Sequence, residues 1–285
     1  MYGFVVTTHY NNYDIIKKCL DLLFKYIPEN SYVILFVNET TCEKMLNIKN
    51  EYNDYYINNK FNVIYIDDQV KNGGLTGTWN QGINYLLNLT DFKCKVISIL
   101  GHDSFVNHNI IKILQLGIDA ENNKKLLYFG PLCKSEKYTG INMWQDVNEY
   151  KKHKMQYLTG FFLTFPIYSL LKNKINKIFF DDENYPFAGN EVEWYLRFKK
   201  LNGEGILCTD FIIDHDHNRS WLELENKIQN EKGEVYSLLY YSNKIKDLNF
   251  NWANYLRKNR DLHFSNEKEA LNHYMSIGKY QNRLF

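Results

Sequence analysis

One glycine-rich segment of this sequence has the composition of a phosphate-binding turn. Residues 72–82 read NGGLTGTWNQG and lie between an apolar run and an amphipathic stretch. Glycines there would let the backbone approach a ligand closely, and the N–H groups that open the following helix would face an anion. The spacing matches neither the Walker nor the dinucleotide pattern, which argues against nucleoside triphosphate hydrolysis and NAD binding. A capped turn without a ligand is the alternative.

One carboxylate and two histidines could hold a metal ion. Asp103 directly follows an apolar run, and a carboxylate at the end of a strand can bind Mg²⁺ or Mn²⁺ through oxygen. The alternative is that Asp103 only caps the next turn. His215 and His217 would point to one side of an extended segment, with Arg219 nearby. Either histidine could therefore ligate a metal or contact a phosphate.

Two glutamates near residue 190 differ in their expected surroundings. If a helix opens at Asn190, Glu193 faces Arg197 at the i, i+4 spacing of an ion pair. Glu191 instead shares a face with Trp194 and the aromatic residues that follow it. Desolvation there would raise the pKa of Glu191 toward that of a useful general base. The alternative is a first-turn carboxylate that the helix dipole stabilises.

The elements that position these residues indicate an α/β fold. Near-continuous apolar runs, typical of strands buried on both faces, alternate with amphipathic stretches, which predicts a mostly parallel central sheet with helices on both faces. Ligands of such sheets gather beyond the carboxyl ends of the strands. The first four strands are predicted at residues 3–7, 32–37, 63–66 and 96–100, further strands at 126–129 and 157–165, and a helix at 190–201.

Composition narrows the class of protein. The 34 Lys and Arg residues against 33 Asp and Glu give a net charge of +1, which argues against extended nucleic-acid binding. The five cysteines are scattered, without the paired spacing of a zinc site or a disulfide framework, and fit a reducing compartment. The sequence shows neither a leader segment nor an apolar stretch of the ~20 residues that span a bilayer. A cytoplasmic location is therefore expected.

In this order the segments resemble the family 2 glycosyltransferases, particularly the rhamnosyltransferase-like branch, over about residues 2–221. Two positions depart from the family pattern. Gly101 stands where the first acid of a D-x-D motif is expected, so Asp103 is the remaining carboxylate, and Glu191 stands at the position of the family's aspartate. The matching segments are residues 7–12, 38–40, 72–82, 101–103, 159–163 and 180–203, followed by His215.

The resemblance implies a GT-A fold and an inverting transfer of sugar from a nucleotide-sugar to a glycan or glycoconjugate hydroxyl. A UDP-sugar is the favoured donor, and a GDP- or dTDP-sugar is possible. Glu191 would be the general base, Asp103 and His215 would hold Mn²⁺ or Mg²⁺, and Gly160, Asn190 and Trp194 would lie on the acceptor side. The donor side would comprise Thr7, Thr8, His9, Asn38, Asn72, Gly73, Gly74, Thr78, Trp79, Asn80, His102 and Asp103.

The expected domain organisation is a glycosyltransferase domain at 1–221, a connecting helical region at 222–249 and a small helical module at 250–285. The last segment resembles a module found attached to extracellular and glycan-related proteins, for which a packing role is preferred. Two other functions stay open. A nucleotide-sugar-forming nucleotidyltransferase would need a glycine- and arginine-rich loop after the first strand, which residues 7–12 lack. A glycan-binding scaffold with a decayed site is motivated by Gly101.

Overall fold

The computed structural model describes most of the first 215 residues and one residue beyond them. The chain divides into two units, Met1–Glu223 and Leu224–Phe285. In the second unit the described residue is Ala270, which is helical and buried. The fold below is that of the first unit. The described residues are 1–8, 13–38, 43–53, 55, 60–66, 74–89, 94–134, 158, 160–175, 178–182, 190–215 and 270.

In the described part of the chain, eight strands form a single sheet. In chain order they are β1 (Tyr2–Thr7), β2 (Ser31–Asn38), β3 (Phe61–Ile66), β4 (Val96–Gly101), β5 (Ser104–Phe105), β6 (Leu127–Lys134), β7 (Phe162–Pro166) and β8 (Glu204–His215). Their order across the sheet is β3-β2-β1-β4-β7-β6-β8-β5. The pairs among β1 to β4 and the pair β6–β8 are parallel, whereas β7 is antiparallel to both of its neighbours and β5 is antiparallel to β8. The mostly parallel sheet predicted from the sequence is confirmed.

Helices cover both faces of this sheet. They are α1 (Tyr13–Tyr26), α2 (Glu43–Leu46), α3 (Ile48–Glu51), α4 (Gly74–Asn88), α5 (Ile110–Asn122), α6 (Ile167–Lys172) and α7 (Asn190–Lys200). The core accordingly has two layers: Phe4 and Val6 of β1 face one, together with α1 and α5, and Val5 faces the other, together with α4 and α7. None of the helices in the described ranges combines the length and apolarity needed to cross a bilayer.

The glycine-rich segment has a packing role in addition to its place at the edge of the sheet. Gly74 opens α4 with φ of 65°, a left-handed conformation that glycine adopts without strain. At the other end of the segment, a Cβ on Gly82 would lie 2.5 Å from Cγ1 of Val5. The helix can approach β1 this closely because residue 82 has no side chain.

The second half of the sheet differs from its prediction in two places. Residues 157–165 were expected as one strand, but β7 begins at Phe162, because Gly160 and Phe161 form a turn. The long strand β8 was not predicted before residue 214. Its pairing with β6 slips between Pro131 and Leu132, so the buried residues Cys208 and Phe211 are three apart. The bulge breaks the period-two pattern by which a strand is recognised.

Candidate active site

The carboxyl ends of β1 and β2 are tied together by Thr8 and Asn38. The backbone N–H of Thr8 donates to the carbonyl of Phe36 at 3.1 Å, and the backbone N–H of Asn38 donates to Thr8 Oγ1 at 3.1 Å. The Asn38 Nδ2 also donates to the carbonyl of Thr8. Asn38 Oδ1 is buried and has no hydrogen-bond partner among the described residues. This edge therefore presents a buried acceptor that a ligand N–H could satisfy.

His102 joins β4 to the end of β1. Its backbone N–H donates to the carbonyl of Thr7 at 3.1 Å, and its side chain is buried. Burial lowers the pKa of His102, which keeps the imidazole neutral at neutral pH. His102 consequently supplies this edge with a neutral polar group and not with a cation.

Asp103 and His215 come together at the same edge. Strand β5 pairs Ser104 with His215, and Asp103 Oδ1 lies 3.3 Å from His215 Nε2. The His215 ring stacks on Phe161, with 4.6 Å between ring centroids and planes inclined by 20°. The carbonyl of Phe161 accepts from Ser104 Oγ at 2.8 Å. Phe161 thus holds both β5 and the His215 ring in place.

Gly101 leaves room for the Asp103 carboxylate. A Cβ at residue 101 would lie 2.7 Å from Asp103 Oδ1, the oxygen that faces His215. A side chain here could be accommodated only if this carboxylate moved. The departure from a D-x-D motif at Gly101 is therefore coupled to the observed pairing of Asp103 with His215.

Glu191 lies in the first turn of α7, against Trp79 and the turn at Gly160. Burial raises the pKa of Glu191, while hydrogen bonds from its own N–H and from the N–H of Gly160 oppose the rise. A Cβ on Gly160 would lie 3.7 Å from Glu191 Cδ and 2.8 Å from Cη2 of the buried Trp79 ring. The direction of this shift agrees with the one expected from the sequence, while Glu191 as a residue is half-buried. A carboxylate whose pKa is raised accepts a proton more readily, as a general base must.

Glu193 and Arg197 form the predicted ion pair, and it is buried. Arg197 contacts both carboxylate oxygens of Glu193, at 2.9 Å for the Nη2–Oε2 contact. The same guanidinium donates to the carbonyls of Phe179, at 2.8 Å, and Asn173. The pair fixes α7 to the neighbouring chain segments, and we assign it a structural role.

Solved structures with a similar architecture include glycosyltransferases. No protein-family model matches the sequence, and no curated protein matches it. The structure of GalNAc-T7 with UDP, GalNAc and Mn²⁺ superposes with a TM-score of 0.56 at 11% identity. The match covers 100% of this chain and 56% of the GalNAc-T7 chain. The Pyrobaculum calidifontis mannosyltransferase PcManGT with GDP-Man and Mn²⁺ gives 0.56 at 9% identity, covering 86% of this chain and 64% of its own. S. aureus TarS 1–349 superposes with a TM-score of 0.55 at 15% identity, and the match covers 98% of this chain and 80% of the TarS chain.

The chain has the GT-A glycosyltransferase fold. At these identities the likeness establishes the fold, and this chain spans 56% and 64% of the first two structures' lengths. The structure of TarS 1–349 in complex with UDP-GlcNAc superposes equally well, with a TM-score of 0.56 at 13% identity. The match covers 99% of this chain and 72% of that TarS chain. The GT-A fold expected from the sequence is confirmed.

Several residues expected to line the donor or acceptor side of this GT-A fold are packed in the core. Asn80 Oδ1 accepts from the N–H groups of Phe179 and Phe180, at 3.1 and 2.9 Å, and its Nδ2 donates to the Phe180 carbonyl at 2.7 Å. Thr78 Oγ1 donates to the carbonyl of Leu75 at 2.5 Å. Trp79 is buried edge-on against Phe180. The polar groups of Asn80 and Thr78 thus serve the packing of α4.

Trp194, expected on the acceptor side, is likewise a core residue. Its ring stacks on Phe198, with 4.6 Å between centroids, and packs edge-on against Tyr128 at 4.9 Å. The side chain is only 1% exposed. Trp194 therefore packs α7 against the core, and its ring is not accessible from the surface.

Some expected site residues fall outside the described part of the chain. These are His9, Asn72, Gly73 and His217, together with Arg219. Apart from the core residues Thr78, Trp79, Asn80 and Trp194, the remaining site residues lie at two places. Thr7, Thr8, Asn38, His102, Asp103 and His215 lie at the edge formed by β1, β2, β4 and β8, and Gly74, Gly160, Asn190 and Glu191 lie at the starts of α4 and α7 and the turn before β7.

Sequence reasoning missed Thr76 and Phe161. Thr76 is buried in the first turn of α4, and its Oγ1 accepts from Asn190 Nδ2 at 2.8 Å. The available signal was spacing: Thr76 and Asn80 are polar residues at i, i+4 on the helix face that also carries Ile83. Polar side chains on a buried face need partners, so they mark contacts to other elements.

Proposed function

We propose that this chain transfers a sugar from a nucleotide-diphospho-sugar to an acceptor hydroxyl by an inverting displacement. The observation that carries the proposal is the desolvated Glu191 carboxylate, with its raised pKa, at the start of α7 in a GT-A fold. Catalytic bases are tuned in this way by burial. The finer assignment, to the rhamnosyltransferase-like branch of family 2, rests on the order of motifs along the sequence.

Glu191 is the proposed general base. Its carboxylate takes the proton of the acceptor hydroxyl as the hydroxyl oxygen forms a bond to the anomeric carbon. The bond from that carbon to the diphosphate oxygen breaks, and its electron pair leaves with the nucleotide diphosphate. Attack from the face opposite the leaving group inverts the configuration. The N–H of Gly160 would orient the carboxylate for this transfer.

Asp103 and His215 are the proposed ligands of a divalent cation. The described residues contain no cluster of three or more His, Cys, Asp or Glu side chains that could hold a metal ion. One carboxylate and one imidazole nonetheless fit Mg²⁺ or Mn²⁺, since such ions in nucleotide enzymes take few protein ligands and complete their shell with phosphate oxygens and water. A cation held here would neutralise the departing diphosphate.

The proposed base-binding residues are Thr7, Thr8 and Asn38. Asn38 Oδ1, which is buried and has no partner within the described ranges, fits an N–H of a nucleotide base, and such a bond would remove the cost of an unsatisfied acceptor. GalNAc-T7 and TarS were solved with UDP or a UDP-sugar and PcManGT with GDP-Man, so a UDP-sugar is the first donor to test and GDP- and dTDP-sugars follow. The acceptor is proposed to be a glycan or glycoconjugate.

The domain assignment stays a proposal of the same kind. Residues 1–221 would form the catalytic domain, 222–249 the connecting helical region and 250–285 the small helical module. Activity of a truncated chain ending at residue 249 would show whether the module contributes to transfer or only to packing.

The test pairs Glu191→Gln with Glu29→Gln. Glutamine keeps the size of Glu191 and an oxygen for the Gly160 N–H but does not take up a proton. Glu29 is exposed in the turn between α1 and β2, at the opposite edge of the sheet, and is a matched control. With Mn²⁺ and a panel of nucleotide-sugars, Glu191→Gln should lose about 10²- to 10⁴-fold in turnover. Turnover near that of the wild type would overturn the assignment of the base.

The departure at Gly101 motivates a non-catalytic alternative, a glycan-binding scaffold. Calorimetry with UDP and GDP in the presence of Mn²⁺ separates the two. Binding of a nucleotide supports the transferase, and no binding of any nucleotide supports the scaffold.

A further inference from the structure

A single side chain joins the first turns of α4 and α7. Asn190 Nδ2 donates to Thr76 Oγ1 at 2.8 Å, and both side chains are buried. The two residues are 114 positions apart in the sequence. A buried bond between neutral side chains is maintained because breaking it leaves a donor unsatisfied.

The orientation of the Asn190 amide follows from its second contact. Asn190 Oδ1 accepts from the backbone N–H of Glu191 at 2.9 Å. A backbone N–H can only donate, so the amide oxygen faces Glu191 and the amide nitrogen faces Thr76. The side chain of Asn190 therefore links the Thr76 hydroxyl to the backbone of Glu191, so a displacement of Thr76 would move that backbone.

The rest of α7 is held by a different contact. The buried Glu193–Arg197 pair fixes the body of the helix to the carbonyls of Asn173 and Phe179. It does not involve the first residue of the helix, where the intrahelical hydrogen bonds of the backbone N–H groups are missing. The hydrogen bond that Asn190 donates to Thr76 constrains this first turn of α7.

We infer that Thr76 is a positioning residue for Glu191, acting through the Asn190 amide to hold the first turn of α7. The inference rests on the proposed function, because it gives Thr76 a role only if Glu191 takes the acceptor proton. The Glu191 carboxylate is close to Gly160, and a displacement of the helix start would carry it away from that N–H. Misplacement of a catalytic group by about 1 Å can cost roughly a hundredfold in rate.

The chain contains a matched control for the loss of a buried threonine hydroxyl. Thr164 in β7 is fully buried, and its Oγ1 bonds with Ser98 Oγ at 2.8 Å. Ser98 lies in the interior of β4, away from the strand end that carries Asp103. Thr164→Val therefore removes a hydroxyl of equal burial and bond length without touching α7.

The experiment compares Thr76→Val, Thr76→Ser and Thr164→Val for kcat, donor KM and Tm. Thr76→Val should lower kcat by about tenfold to a hundredfold and leave the donor KM within about twofold. Thr76→Ser keeps the acceptor oxygen and should restore kcat. Thr164→Val should lower Tm with kcat unchanged. If Thr76→Val fails to fold, Thr76→Ala and Thr164→Ala replace the valine variants.

The inference is overturned if Thr76→Val costs no more kcat than Thr164→Val, or if Thr76→Ser loses as much as Thr76→Val. Glu191→Gln assayed alongside separates this failure from that of the proposed function. If the Glu191→Gln variant remains active, Glu191 is not the general base, and the positioning role of Thr76 is overturned with it. An inactive Glu191→Gln together with a fully active Thr76→Val removes only the role of Thr76.

Discussion

His215 Nε2 lies 3.3 Å from Asp103 Oδ1, although His215 ends the last described strand and Asp103 follows β4. The pairing of Ser104 with His215 creates this contact, and the stacked Phe161 ring keeps the imidazole in place. The two side chains offer an oxygen and a nitrogen to one cation.

Removing either proposed metal ligand should weaken Mn²⁺ binding. We expect Asp103→Asn and His215→Ala each to reduce Mn²⁺ affinity in the presence of UDP by about tenfold or more, as titration monitored by electron paramagnetic resonance would measure. His108→Ala is the control, because His108 is exposed and lies outside this pair. Transfer that is insensitive to EDTA, or unchanged affinity in both variants, would contradict the metal assignment.

Introducing the missing acid of a D-x-D motif should not improve the site. Since a Cβ at residue 101 would lie 2.7 Å from Asp103 Oδ1, Gly101→Asp and Gly101→Ala should both displace the carboxylate from His215. We expect Mn²⁺ affinity to fall by about tenfold in each, with Tm little changed because a terminal carboxylate oxygen moves readily. Tighter Mn²⁺ binding by Gly101→Asp would show that the second carboxylate is compatible with the site.

Glu191→Gln should stabilise the protein at neutral pH while it removes activity. Burial raises the pKa of Glu191, so the folded state favours the protonated form and its stability falls as pH rises from the ordinary value of 4.5 through the raised value. Glutamine removes this cost, and Tm should rise by roughly 2–4 °C per kcal/mol recovered. The gain should vanish below pH 4.5. A gain that is constant with pH, or equal in Glu29→Gln, would contradict desolvation as the cause.

Asn80→Ala should affect stability more than donor binding. It leaves the buried N–H groups of Phe179 and Phe180 without their acceptor, at a cost of about 1–3 kcal/mol for each group. We expect a clear fall in Tm and a donor KM within about twofold of the wild type. A raised donor KM at unchanged Tm would instead support the role in donor binding that the sequence pattern indicated.

Local patterns sufficed for the parallel half of the fold. The apolar runs that became β1 to β4 were predicted to within two residues at each end, because central strands of a parallel sheet are near-continuous apolar runs. The helix from Asn190 and the Glu193–Arg197 pair were also predicted, since both depend on spacings within one turn. The antiparallel half of the fold was harder to predict from the sequence, because the pairing of β6 with β8 contains a bulge.

The residue types and their spacing alone predict which side chains reach the carboxyl edge of a parallel sheet, including the single carboxylate of Asp103 after β4. Tertiary structure decided which partners these residues have. The contacts of Asp103 with His215, of Glu191 with Gly160 and of Asn190 with Thr76 join distant segments. The pairing register of β8 and the packing of α4 against α7 set those contacts, and neither leaves a local periodicity in the sequence.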